Sequence, residues 1–191
     1  MEYKSTLYEN IDTLFNASVK HKVFINTPRE KQSEPLKISD TTPDILLRYG
    51  LKNEPMFILP YKISQGIFLH RDIKHGHNDN VNAKICLKAL KHIHDPLMIL
   101  NDGDCLVLYI DYDTLLKDEL IVVIKPTDIG NMIVSIYATY NKTPKEKVVY
   151  INESGFKNPQ SSTSKKLKGF VDGLLISGFK ETKFNITHNL L

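Results

Sequence analysis

The chain has 191 residues, 41% of them hydrophobic and 25% charged, which is enough to bury one sizeable core and excludes a disordered polymer. A formal net charge of +3 permits a nucleic-acid partner without requiring one. No apolar run is long enough to cross a bilayer, and the acidic start MEYKSTLYENIDTLF lacks the apolar region of a secretory signal, so the chain reads as cytoplasmic with no membrane partner.

In chain order, Leu7 to Lys22 has the spacing of a short helix, with Leu7, Ile11, Leu14, Phe15 and Val19 on one side. Asn26 to Ser39 is polar, holds two prolines and reads as a linker or exposed loop. Asp40 to Tyr49 predicts a helical turn. Thr42 is placed to cap it, Pro43 to take the first helical position, Ile45, Leu46 and Leu47 to face inward, and Gly50 to end it. In NEPMFILPYKI two prolines bracket an apolar run, which suits an edge strand or extended segment better than a helix. Gln65 to His75 leans to a helix ended by Gly76. A second helix runs from about Asn80 to His94, with Val81, Ile85, Leu87, Ala89, Leu90 and Ile93 at three- and four-residue steps until Asp95-Pro96.

The pattern then changes to strands. Leu97 to Leu100, CLVLYID, Glu119 to Lys125 and Met132 to Tyr140 succeed one another, with turns at Asn101-Asp102-Gly103-Asp104 and Asp128-Ile129-Gly130-Asn131. Strict alternation in the last of them puts Met132, Val134, Ile136 and Ala138 on one side, and Ile133, Ser135, Tyr137 and Thr139 on the other. Lys147 to Ile151 reads as a further strand. Leu167, Phe170, Val171, Leu174 and Leu175 mark an amphipathic helix weakened by Gly169 and Gly173, and Lys183 to Leu191 is a short strand or irregular. Cys86 and Cys105 lie in apolar segments and read as buried thiols. The expected fold is α+β: helices on one face of a four-stranded antiparallel sheet, plus a C-terminal helix.

The chemistry concentrates in Phe68 to His94, which holds five of the seven histidines, His70, His75, His77, His92 and His94. On a helix, His70 and Lys74 are neighbours four apart, and Arg71 and His75 form the adjacent pair. One face then carries two imidazoles and two cations, the set that metal-free cleavage of RNA through its own 2′-hydroxyl requires: a base, an acid and countercharge for the phosphorane. A solvated polar helix face is the plainer alternative. The pairs His75-Gly76-His77 and His92-Ile93-His94 match no common zinc spacing, so no metal or other cofactor is expected. Ser135 and Tyr137, two apart on a strand, point the same way and can hydrogen-bond phosphate oxygens or orient a histidine. Lys157, Lys165, Lys166 and Lys168 form a basic tract that can track a phosphate backbone, or simply a solvated loop. The sequence holds no P-loop, dinucleotide glycine pattern, nucleophile elbow or HExxH.

The order TPDILLRYGLKNEPMFILPYKI, HRDIKHGH, a helix ending in HDPLMIL, strands CLVLYID and ELIVVIK, and the closing IVSIYATY resembles the C-terminal domain of phage MuF-type head proteins and related toxins. These belong to the barnase-EndoU-colicin-RelE-like (BECR) nuclease group. The resemblance spans about Thr41 to Tyr140. It implies a small metal-independent ribonuclease toxin acting on tRNA or other RNA, with a cognate immunity or antitoxin protein. His75 with Lys74 matches the His-Gly motif, and Ser135 with Tyr137 matches the closing-strand motif, while His70 and Arg71 fall just outside the matched parts. On this reading residues 1–39 are an N-terminal helix and linker, 40–150 a nuclease-like core, and 151–191 a basic loop and helix. The rival readings are a catalytically silent phage or mobile-element accessory domain that holds a protein partner, and a nucleic-acid-binding regulator using the Lys157 to Lys168 tract.

Overall fold

A computed structural model of the chain describes residues 35–58, 89–110, 119–139, 147–156 and 162–180. The fold is α+β, built on a seven-stranded mixed sheet. Its strands are β1 (Leu36–Ser39), β2 (Met56–Ile58), β3 (Met98–Asn101), β4 (Leu106–Ile110), β5 (Glu119–Thr127), β6 (Gly130–Thr139) and β7 (Val148–Ile151). Their spatial order is β1-β2-β6-β5-β4-β3-β7. The four strands expected from the hairpin signals are present as the consecutive antiparallel meander β3 to β6. The sheet is wider than the expected four strands because each side of the meander gains partners distant in sequence. β7 pairs with β3, and β2 runs parallel to β6, with β1 outside it. The polar stretch read as a linker to Ser39 therefore ends in a strand, and the Pro-bracketed segment is not an edge. The outermost strands, β1 and β7, have four residues each, and each pairing carries a register irregularity.

Burial on both faces explains why the central strands read as unbroken apolar runs. In β3, Ile99 joins one apolar cluster, and Met98 and Leu100 join the other. The first cluster gathers Leu46 of helix α1 (Asp44–Leu47), and Ala89, Leu90 and Ile93 at the end of the helical segment before β3. The second gathers Val171 and Leu174 of helix α2 (Ser162–Ile176). The expected C-terminal helix is α2, and it packs on the face opposite α1. Among the described residues no helix is long and apolar enough to cross a membrane.

Thr42 does not cap α1. Pro43 occupies the N-cap position without a side-chain cap, and the Thr42 hydroxyl donates instead to the Glu54 carbonyl at 2.7 Å. That hydroxyl also accepts a 2.7 Å bond from Asn131 Nδ2, which donates at 2.9 Å to the Lys52 carbonyl as well. Asn131 is fully buried, and its backbone N–H donates to Pro55 O at 2.9 Å, so one residue of β6 ties down the whole loop from Thr42 to Pro55. A buried polar group must be paired to avoid its desolvation cost, and this tertiary demand outweighs the gain from a helix cap.

The same junction fixes Gly130. Its φ is 134°, and a Cβ built there would lie 2.4 Å from Pro55 O and 3.0 Å from the Phe57 ring. Gly103, in the β3–β4 turn, also has positive φ, 85°, but open space around it. Gly130→Ala is therefore expected to cost about 3 kcal/mol or more in urea unfolding, and Gly103→Ala only about 1 kcal/mol, the backbone strain alone.

Candidate functional site

The closing strand departs from strict alternation. Val123 of β5 pairs with Ser135, but the next residue, Ile124, pairs with Ile133, leaving Val134 as an extra residue. Ile133 and Ile136 consequently enter the same cluster, while Tyr137 packs against the other. A bulge of this kind shifts the rest of the strand by one side-chain position. Ser135 and Tyr137 remain on a common face, as expected, but Ile133 does not share it. Their cross-strand partners Val123 and Ile121 lie over the cluster that α2 covers.

Both hydroxyl-bearing residues are half-buried. Burial pushes the Tyr137 phenol above its ordinary range, with a smaller push from Cys105. Cys105 is a half-buried free cysteine rather than a core thiol. Its pKa is also raised, first by burial and then by Asp104, with Lys125 opposing. Cys86 lies outside the described residues. The Cys105 surroundings lead to a residue that reading the sequence alone misses. Lys125 pairs with Met132 and alternates with Ile124, which is in the first cluster, so it stands on the face of Ser135 and Tyr137. It sits two residues along β5 from Val123, roughly 7 Å at the rise of a strand. Its side chain is 48% exposed, and its ammonium donates to Asp104 Oδ2 at 2.7 Å. The signal was available: Ile121, Val123 and Lys125 recur at the strand period.

The turn between β3 and β4 places Asp104. Gly103 N–H donates to Asn101 Oδ1 at 2.8 Å, and Asp102 N–H donates to Cys105 O at 3.0 Å. The turn's two carboxylates each hold a lysine of a neighbouring segment: Asp104 holds Lys125, and Asp102 holds Lys147 just before β7.

The other expected site residues fare differently. His70, Arg71, Lys74, His75 and Lys157 lie outside the described residues. Lys165 and Lys166 fall in the early turns of α2, so the basic tract is helical there rather than a loop. Lys168 donates to Asp172 Oδ2 at 2.6 Å, four residues on, and is therefore a compensated charge. Among the described residues no group of three His, Cys, Asp or Glu side chains is arranged to hold a metal ion. No family model, curated protein or solved structure matches this chain.

Chemically, the arrangement offers two hydroxyl donors and one ammonium on a sheet face whose cation is held by a carboxylate. Lys125 lowers the Asp104 pKa from its ordinary value, chiefly through their hydrogen bond, and Asp104 raises that of Lys125 in return. Whatever stability the pair supplies is present above the ordinary carboxylate pKa and is lost as pH falls through the depressed folded value. At the other end it is lost as pH rises through the elevated folded value of Lys125. Because the pair is exposed, salt weakens it. In a pH titration followed by carboxyl carbon NMR, Asp104 is expected to titrate below the ordinary range in the wild type and to return towards it in Lys125→Gln.

Proposed function

We propose that the chain is a metal-independent endoribonuclease of the toxin type, cleaving tRNA or other RNA by attack of the 2′-hydroxyl to leave a 2′,3′-cyclic phosphate. The observation that carries this reading is the common face of Ser135, Tyr137 and Lys125, two hydroxyls and a cation suited to phosphate oxygens. In this proposal His75 acts as general base or acid with His70 as its partner, Lys74 and Arg71 stabilise the phosphorane, and Ser135 and Tyr137 position the scissile group. Lys157, Lys165, Lys166 and Lys168 would track the backbone beyond the cleavage point. The resemblance to MuF-type and BECR nuclease domains supports the same reaction, and with it a cognate immunity protein.

Purified protein incubated with total tRNA in EDTA is expected to give fragments ending in a cyclic phosphate. His75→Ala should lower the rate by about 10²-fold, the usual worth of a proton-transfer catalyst. Tyr137→Phe should lower it by about tenfold, the worth of one ordinary hydrogen bond. Undiminished cleavage by His75→Ala would remove the site assignment, and absence of cyclic-phosphate ends from the wild type would remove the reaction.

The accessory-domain reading draws on one observation. Lys125 and Lys168 both carry carboxylate partners, which reduces the free positive charge offered to RNA. That reading expects binding of a partner protein with no strand scission and no growth defect on expression.

A further inference from the structure

We propose that Lys125 is a phosphate ligand of this sheet face, and that Asp104 is its built-in competitor, which a phosphodiester of a single-stranded nucleic acid displaces. The proposal rests on the ribonuclease reading only for the class of ligand. It adds a binding residue to the proposed set and a reason why the free protein keeps that residue occupied.

Three observations carry it. First, the strand register sets Lys125 on the face of Ser135 and Tyr137, two and four residues along β5 from their cross-strand partners Val123 and Ile121, with its long side chain half-exposed. Second, the competitor comes from a turn rather than from a strand. Asp104 belongs to Asn101–Cys105, held by a side-chain-to-backbone bond and a single backbone bond across the turn. Exchange of Asp104 for an incoming anion leaves the ladder of β4 and β5 intact. Third, the Asp104–Lys125 contact is exposed on both sides, 61% and 48%. Such a pair is worth little in water, so a ligand that gives the lysine an equivalent oxygen, along with hydrogen bonds from neighbouring hydroxyls, can replace it. Lys37 lies in the same cross-strand row, through Phe57 and Met132, and is held in the same manner by Asp40 at 2.6 Å. The row thus presents two lysines, each with an aspartate in attendance.

The test uses binding rather than cleavage, so that it stands apart from the ribonuclease assay. The probe is a short fluorescein-labelled single-stranded oligodeoxythymidylate, which has no 2′-hydroxyl and cannot be cleaved by the proposed reaction. Binding to the full chain is monitored by fluorescence anisotropy over a range of salt concentrations. Asp104→Asn is expected to tighten binding about threefold by releasing Lys125, the size of an exposed ion pair. Lys125→Gln is expected to weaken it by threefold or more, and to flatten the salt dependence by about 0.7 in the logarithmic slope, one phosphate contact of a single strand. Asp102→Asn is the control: it removes the same charge from the same turn but frees Lys147, next to β7. If it tightens binding as much as Asp104→Asn, the effect is general electrostatics and the proposal fails. It fails equally if Asp104→Asn leaves affinity unchanged or weaker, or if no protein binds the probe. A chain that shows the expected pattern but does not cleave tRNA retains the Lys125 site and loses the ribonuclease reading.

Discussion

Covering both faces of one sheet is the constraint on which this structure depends. A strand such as β3, with Met98 and Leu100 turned to one cluster and Ile99 to the other, has no solvent face. Neither helical layer can be withdrawn without exposing half of a continuous apolar run, at roughly 25 cal/mol for each Å² returned to water. The demand spreads outward. β5 and β4 alternate between the same two clusters, and the polar groups that remain inside must be paired locally. Asn131 performs that pairing at the start of β6, where its amide joins Thr42 and the Lys52 carbonyl. Its Oδ1 is the one buried side-chain polar atom without a partner among the described residues, which makes the junction the least satisfied point of the interior.

The surface left for chemistry is what this packing does not claim. α2 covers the second face over β3, β4 and β5 through Val171 and Leu174, with Phe170 beside them. On β6 that face carries buried Met132 and then half-buried Ser135 and Tyr137, and the bulge at Val134 decides that the latter two stand there. Had the ladder run without that extra residue, Ser135 and Tyr137 would have taken the side that Ile133 occupies, inside the cluster built on α1. One inserted residue thus settles which of the two apolar clusters Ser135 and Tyr137 face.

How much of this was legible depends on the range of each signal. The β3–β6 meander was readable because its signature is local: short apolar runs bracketed by Asn-Asp-Gly-Asp and Asp-Ile-Gly-Asn turns. The helical turn at Asp44 to Leu47 and the amphipathic spacing of Val171 and Leu174 were readable for the same reason. The parallel pairing of β2 with β6 was not, since it joins residues about 75 apart and leaves no mark in the three apolar residues of β2. The bulge was hidden because MIVSIYATY alternates well enough to fit a regular strand; the extra residue appears only against β5. Thr42 looked like a cap because caps are local, whereas its actual partners, Glu54 O and Asn131, are set by tertiary contact. The Lys168 to Asp172 pair was present in the sequence at helical spacing and was outweighed by the run of lysines around it. Of the candidate site, the strand half lies on one face as its spacing required, while the imidazole half lies outside the described residues.

The borders of the sheet have a consequence for the protein in bulk. Among the described residues β1 and β7 are short, and each falls out of step with its one neighbour, β1 between Lys37 and Ser39 and β7 opposite Ile99 and Leu100. A visiting extended segment would find only a few amides and carbonyls in line before the rhythm breaks, too few to repay the ordering of its own backbone. Among the described strands, the two outer ones are therefore poor templates for edge-to-edge pairing between copies of the chain.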